Sequence, residues 1–190
     1  MRTQDIIQVI LYLAIIIGLT PLLGNFMYRV FTGKRHIMVP VLGWFEKLTY
    51  RVIHIAPDQE SNWKSYTWGI LMFNLIGLIF LFLIQLIQQW LPLNPANLPN
   101  VPWHLSFNTA VSFVTNTNWQ SYAGETTLSY LVQMIGLTVQ NYLSAATGIA
   151  VLLAIIRGLS RKTTDKIGNF WVDLTRCTIY VLLPLSVIIS

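Results

Sequence analysis

The chain has 190 residues, of which 54% are hydrophobic and 10% charged, with a formal net charge of +5. Soluble domains carry about 25% charged residues, so an ordinary water-soluble domain is excluded, and the charge-free runs 65–124 and 126–156 belong in lipid. The basic balance reports loop charge, not nucleic-acid binding, because no basic patch interleaved with aromatic residues lies on a polar surface.

Residues 6–28 make the first predicted span, with 23 uncharged residues. The apolar core of a secretory signal is shorter, about 7–15 residues, and ends at a small-residue cleavage site that is missing here. Pro21 is expected to kink this helix, which membrane helices tolerate. Residues 29–64 are polar and mixed. Within them 39–55 reads as a short amphipathic helix: Val41, Leu42, Phe45, Leu48, Val52 and Ile55 fall at helical spacing, with Glu46, Lys47 and Arg51 elsewhere. Such a helix either lies along the membrane surface or packs on a partner subunit.

The second span is expected over 66–91, whose 26 residues reach roughly 39 Å. It ends at "PLNPANLPNVPWH", where Pro92, Pro95, Pro99 and Pro102 force an extended loop. The pattern over 105–115 is helical but only about 16 Å long. It cannot cross a hydrocarbon core of about 30 Å, so it is a core helix or a re-entrant segment. Then comes "TNTNWQ", within the polar stretch "SFVTNTNWQSYAGETTLSY". The third span is expected over 129–156 and the fourth from 170 to 190.

Ten of the twelve basic residues lie in the 29–64 and 157–169 loops, and none lies in the 92–128 connection. Lys and Arg mark the cytoplasmic side. The N-terminus and the 92–128 connection are therefore expected outside, and the span count agrees.

A half-length helix followed by a neutral polar run has the form of a pore loop, in which backbone carbonyls replace the water around an ion. Asn116 and Asn118 suit left-handed dihedrals, while β-branched Thr115 and Thr117 suit extended ones. The competing reading of the same residues is a polar surface loop between two helices. Glu125 either draws cations to a pore mouth or is an ordinary solvated acid. Trp119 and Tyr122 either brace the segment or belong to the interfacial aromatic belt. Gln133, Gln140 and Asn141 either line an inner path or bond between helices. Asp173 is expected to pair with Arg176 three residues on. His36, His54 and His104 are too scattered for a metal site, and Cys177 reads as inert packing.

"NTAVSFVTNTNWQSYAGETTLSY", "QMIGLTVQNYLSAATGIAV", "PLNP", "NWKSY" and "GNFWVDLTR" closely resemble the potassium-translocating A subunit of the bacterial Kdp potassium-transporting ATPase. The resemblance covers essentially the whole chain. It implies an all-α membrane protein of about four transmembrane helices, with one re-entrant pore helix and filter loop. This is one helix–pore loop–helix repeat of a potassium-channel-like fold plus an N-terminal helix. The organisation is then an N-terminal transmembrane helix (1–28), a cytoplasmic loop with an interfacial helix (29–65), the first repeat (66–156), and a cytoplasmic loop with the first helix of an incomplete second repeat (157–190). The resemblance further implies potassium binding and translocation across the bacterial inner membrane. The potassium filter would be Thr115, Asn116, Thr117 and Asn118 through their carbonyls, with Gln120 near its entrance.

Partners implied are the P-type ATPase catalytic subunit, small accessory subunits of the same complex and membrane lipid. The transported ion is potassium, and no organic cofactor or catalytic ATPase residue is expected in this chain. Neither a Walker GxxxxGK[ST] nor a DKTG phosphorylation sequence occurs in it. Against the family pattern the chain is an N-terminal third, cut short in its second repeat. The second reading is therefore a truncated, non-conducting module or remnant that docks on or regulates partner subunits.

Overall fold

The computed structural model describes residues 3–189. Four helices are long and apolar enough to cross a membrane: Gln4–Phe31, Trp63–Leu86, Val132–Ser160 and Phe170–Ile189. Two shorter helices of more than ten residues lie between them among the described residues. Val39–Val52 follows the first span, and Trp103–Val114 follows the proline-rich connection. The protein is thus mostly helical and of the all-α membrane class.

The helix starts are written in local chemistry. Asn62 Oδ1 accepts from the Ser65 amide at 3.0 Å and opens the second span. Asn169 Oδ1 accepts from the Trp171 and Val172 amides and opens the fourth. Both are helix N-caps, which satisfy amides that the first turn leaves free. A two-stranded antiparallel pair, not foreseen in the sequence, joins Ser61–Asn62 to Lys166–Gly168. It brings the two basic loops together at one end of the bundle, and Arg161 pairs with Glu60 at 2.8 Å across it. Gly168 has φ +111°, and a Cβ there would collide with the Arg157 guanidinium. Only glycine fits.

Several boundaries differ from the sequence pattern. The first helix continues through Phe31, because Val30 and Phe31 are buried against the fourth span's end of the core. The second span stops at Leu86 rather than at 91 and passes into a tight turn, Gln88–Trp90. The cause is the buried Gln88 side chain. Its Nε2 donates to Pro99 O at 2.6 Å and Thr127 O at 2.8 Å, and its Oε1 accepts from the Ser129 amide at 3.0 Å. The third span runs on to Ser160 rather than 156 and carries a π-helical stretch near its start, Val132–Thr138. A second π-helical stretch, Cys177–Leu182, precedes Pro184 in the fourth span. A wider turn there accommodates a proline that has no amide to donate.

Packing falls into two clusters. One joins the ends of the spans near the basic loops, through Val30, Phe31, Tyr66, Ala150, Phe170 and Tyr180. The other surrounds the short Trp103–Val114 helix, through Leu81, Ile84, Ala110, Phe113, Leu128 and Val132. Close approach of helices depends on small residues. A Cβ on Gly77 would lie 2.6 Å from Gln140 Oε1, and one on Gly136 would lie 2.9 Å from Leu81 Cδ1.

Candidate functional site

The Trp103–Val114 helix buries Ser106, Thr109, Ala110, Ser112 and Phe113. This face of small and polar residues lets it pack closely on the second span. Two contacts fix its upper part: the Val101 amide donates to Gln85 O at 3.1 Å, and Gln85 Nε2 donates to Ser106 O at 3.3 Å.

The helix ends at Thr115, whose φ −82° and ψ 5° close the last turn. Thr115 was expected to be extended. Instead its amide and Oγ1 both donate to Val111 O, at 3.0 and 2.8 Å, and this satisfies a helix-terminal carbonyl. Beyond it Asn116 and Asn118 take the left-handed conformation the sequence predicts, with φ +57° and +58°. Asn tolerates that region because its short side chain bonds locally.

Ser112 is the hub of the turn. Its carbonyl accepts from the Thr117 amide at 3.0 Å and the Asn118 amide at 3.2 Å, and its Oγ donates to Trp119 O at 2.9 Å. The Thr115 and Thr117 hydroxyls meet at 2.8 Å. With the amides turned back onto Ser112, the carbonyls of Thr115, Asn116, Thr117 and Asn118 accept no hydrogen bond from any described residue. Thr115, Asn116 and Thr117 are exposed and Asn118 is half-buried.

The third span holds this turn by its side chains. Asn118 Nδ2 donates to Asn141 Oδ1 at 2.9 Å, and Ser144 Oγ donates to Asn116 Oδ1 at 3.2 Å. Asn141 and Ser144 sit nine and twelve residues beyond Val132, roughly 14 and 18 Å along the helix. Asn141 thus bonds to the polar turn. Gln133 does not reach that turn and instead holds the segment after it, donating to Gly124 O and Leu128 O. Gln140 is buried beside Gly77. Ser112 and Ser144 carried no distinguishing sequence signal, since serines on helix faces are common. Gln120 and Trp119 are exposed, Glu125 is exposed in the single turn Gly124–Thr127, and Tyr122 packs on the second cluster.

Charged groups gather at the other end. The expected Asp173–Arg176 pair does not form. Asp173, 2% exposed, accepts from Arg157 of the third span, with Nη2 to Oδ1 at 2.8 Å, and from the Tyr66 hydroxyl at 3.0 Å. Arg176 instead reaches Glu46 of the Val39–Val52 helix at 2.9 Å. Partners from other helices outcompete the neighbour because they arrive with further hydrogen bonds. Burial alone would raise the Glu46 pKa, but hydrogen bonds from Tyr180, Arg176 and Tyr50 outweigh it and hold the carboxyl below the usual glutamate value. The Arg161 hydrogen bond holds Glu60 low despite partial burial.

His36 packs edge-on against Phe26 and Tyr180, and His104 against Trp103. Among the described residues no three His, Cys, Asp or Glu side chains gather as a metal site. Cys177 is buried.

Residues 10–190 match the family profile described as potassium-transporting ATPase A subunit. A relative from Sorangium cellulosum, named potassium-transporting ATPase potassium-binding subunit, is 55% identical over 190 residues, covering all of this chain and 33% of its own length. Relatives with the same name are 50% identical in Pseudomonas syringae pv. tomato, over 100% of this chain and 34% of the relative. In Rhodospirillum centenum the identity is 55%, over 98% of this chain and 32% of the relative. The chain spans about a third of the length of the curated relatives it matches.

Proposed function

The chain belongs to the potassium-transporting ATPase A subunit family, and from that premise we propose that its 103–122 segment is a re-entrant pore helix and filter loop that binds potassium. The carbonyls of Thr115, Asn116, Thr117 and Asn118 form one side of an ion path, and Gln120 stands near its entrance. The observation that supports this most is the set of four successive carbonyls that accept no hydrogen bond, at a turn held by Asn141 and Ser144. Those two residues lie well inside a span of 29 residues. Backbone polar groups at such depth are tolerated where they line a watery path. Neutral carbonyl dipoles bind a cation firmly enough to select it and weakly enough to release it.

A ring of carbonyls needs several such segments, and this chain contributes one among its described residues. It therefore acts as part of a channel-like subunit in an ATP-driven uptake complex, beside a P-type ATPase subunit that hydrolyses the nucleotide. The organisation into an N-terminal helix, a loop with an interfacial helix, a first repeat from 66 to 156 and the start of a second follows from the same reading. The basic loops face the cytoplasm and the 92–128 connection faces outward, supported by the positive-inside bias and by the pairing of the two loops at one end.

A chimera tests this function. This chain replaces the corresponding third of the Pseudomonas syringae relative, and potassium uptake is measured in cells starved of potassium. Uptake is expected to persist and to fall at least tenfold with Asn118→Leu. Uptake by the chimera that is indifferent to Asn118→Leu overturns the filter assignment.

A further inference from the structure

The helix Val39–Val52 has its polarity reversed. In a soluble protein the apolar face of a surface helix turns inward. Here Gly43, Glu46 and Tyr50 turn toward the bundle, and Glu46 accepts from Arg176 at 2.9 Å, Tyr50 at 2.8 Å and Tyr180 at 2.6 Å. The opposite face shows Val41 at 63% exposure, Trp44 at 65%, Leu48 at 43% and Val52 at 65%, continued by Ile37 before the helix. Lys47 and Arg51, four residues apart and both exposed, occupy one flank between the two faces. Between Arg29 and Pro57 the sequence contains a single acid, Glu46, and it is already engaged. Arg35, Lys47 and Arg51 take part in no ion pair among the described residues.

The depth of this helix can be read from its partners. Arg176 and Tyr180 lie roughly one and two turns beyond Asp173, whose pairing with Arg157 marks the polar end of the bundle. Glu46 therefore sits roughly 5–10 Å inward of that end, the depth at which interfacial helices bury their apolar face. At 14 residues, roughly 21 Å, the helix is too short to span.

We propose that the Val39–Val52 helix is a docking element for anionic lipid, with Val41, Trp44, Leu48 and Val52 among the acyl chains and Lys47 and Arg51 against phosphate-bearing headgroups. The inference rests on the membrane placement of the four spans and not on the filter. Charge complementarity selects the occupant: an acidic phospholipid supplies both the apolar tails and the negative charge that this three-sided helix lacks.

The test uses the full chain carrying Leu48→Cys labelled with a bimane fluorophore, in phosphatidylcholine vesicles with and without phosphatidylglycerol. Cys177 is buried and does not compete for label. Brominated phosphatidylglycerol is expected to quench the label more strongly than brominated phosphatidylcholine at equal mole fraction. K47Q and R51Q are each expected to lower the preference by up to about fivefold, and high salt is expected to lower it in the parent chain. Equal quenching by the two lipids in the parent chain overturns the proposal, as does quenching by aqueous iodide in place of lipid. Shielding from both that grows with the ratio of chain to lipid also overturns it, because it assigns the face to a second copy. Loss of filter function in the chimera would leave all of these readouts unchanged.

Discussion

Replacing Arg157 with Met is the most informative test of how the spans are held together. Asp173 is 2% exposed, while the Arg157 side chain is 16% exposed. The carboxylate receives two guanidinium bonds and the Tyr66 hydroxyl at 3.0 Å. Arg157 also donates to Ile167 O at 3.1 Å and Phe31 O at 3.4 Å. Removing the arginine strands a buried charge, which costs about 3–5 kcal/mol. Asp173→Asn leaves an acceptor for Tyr66 and a guanidinium that can still reach water, so about 1–2 kcal/mol is expected from lost charge-assisted bonds. The double variant R157M/D173N is expected to be more stable than R157M alone, with a coupling energy of about 1–3 kcal/mol. The assay is reversible unfolding of the full chain in mixed micelles, followed by circular dichroism. Equal costs for the two single variants, or strict additivity in the double, would refute the assignment of Asp173 as a buried, Arg157-dependent charge.

Asn141→Leu removes the acceptor for Asn118 Nδ2 and should raise hydrogen exchange at 115–120 by roughly 3–20-fold, the effect of an interhelical bond of about 0.6–1.7 kcal/mol; unchanged exchange there would remove the third span from the turn's support. The Glu46 carboxyl has a folded pKa below the ordinary value of 4.5, so its stabilisation is complete above that value and is lost as pH falls through the lower, folded one. The bimane at position 48 should accordingly report undocking below about pH 4.5 in the parent chain, and a pH-independent signal in E46Q. Sidedness follows from cysteine labelling of intact cells: N97C should react with an impermeant reagent and R161C should not, and the reverse pattern would invert the orientation.

Much of the architecture was legible because it follows from local pattern. Long apolar runs located the four spans, charge-free in the first three and interrupted only by Asp173 and Arg176 in the fourth, and an apolar segment too short to cross located the Trp103–Val114 helix. The left-handed dihedrals of Asn116 and Asn118 were legible because few residue types accept them. Features that depend on distant partners were not. Asp173 has Arg176 one turn away, yet bonds to Arg157 and Tyr66, and no spacing rule anticipates a partner on another helix. Thr115 looked extended by propensity, but the helix carbonyl of Val111 claimed its hydroxyl. Gln88 shortened the second span through backbone contacts to residues 99, 127 and 129, which only folding brings together.

The central claim is that the carbonyls of Thr115–Asn118 ligate potassium. Its most direct test is the carbonyl carbon chemical shift of these residues, labelled in the chimeric subunit in lipid, during titration with potassium or sodium. The account predicts shifts at 115–118 that saturate with potassium and stay flat with sodium, while the Asn141 carbonyl does not move. No response to potassium, or an equal response to both ions, would contradict it.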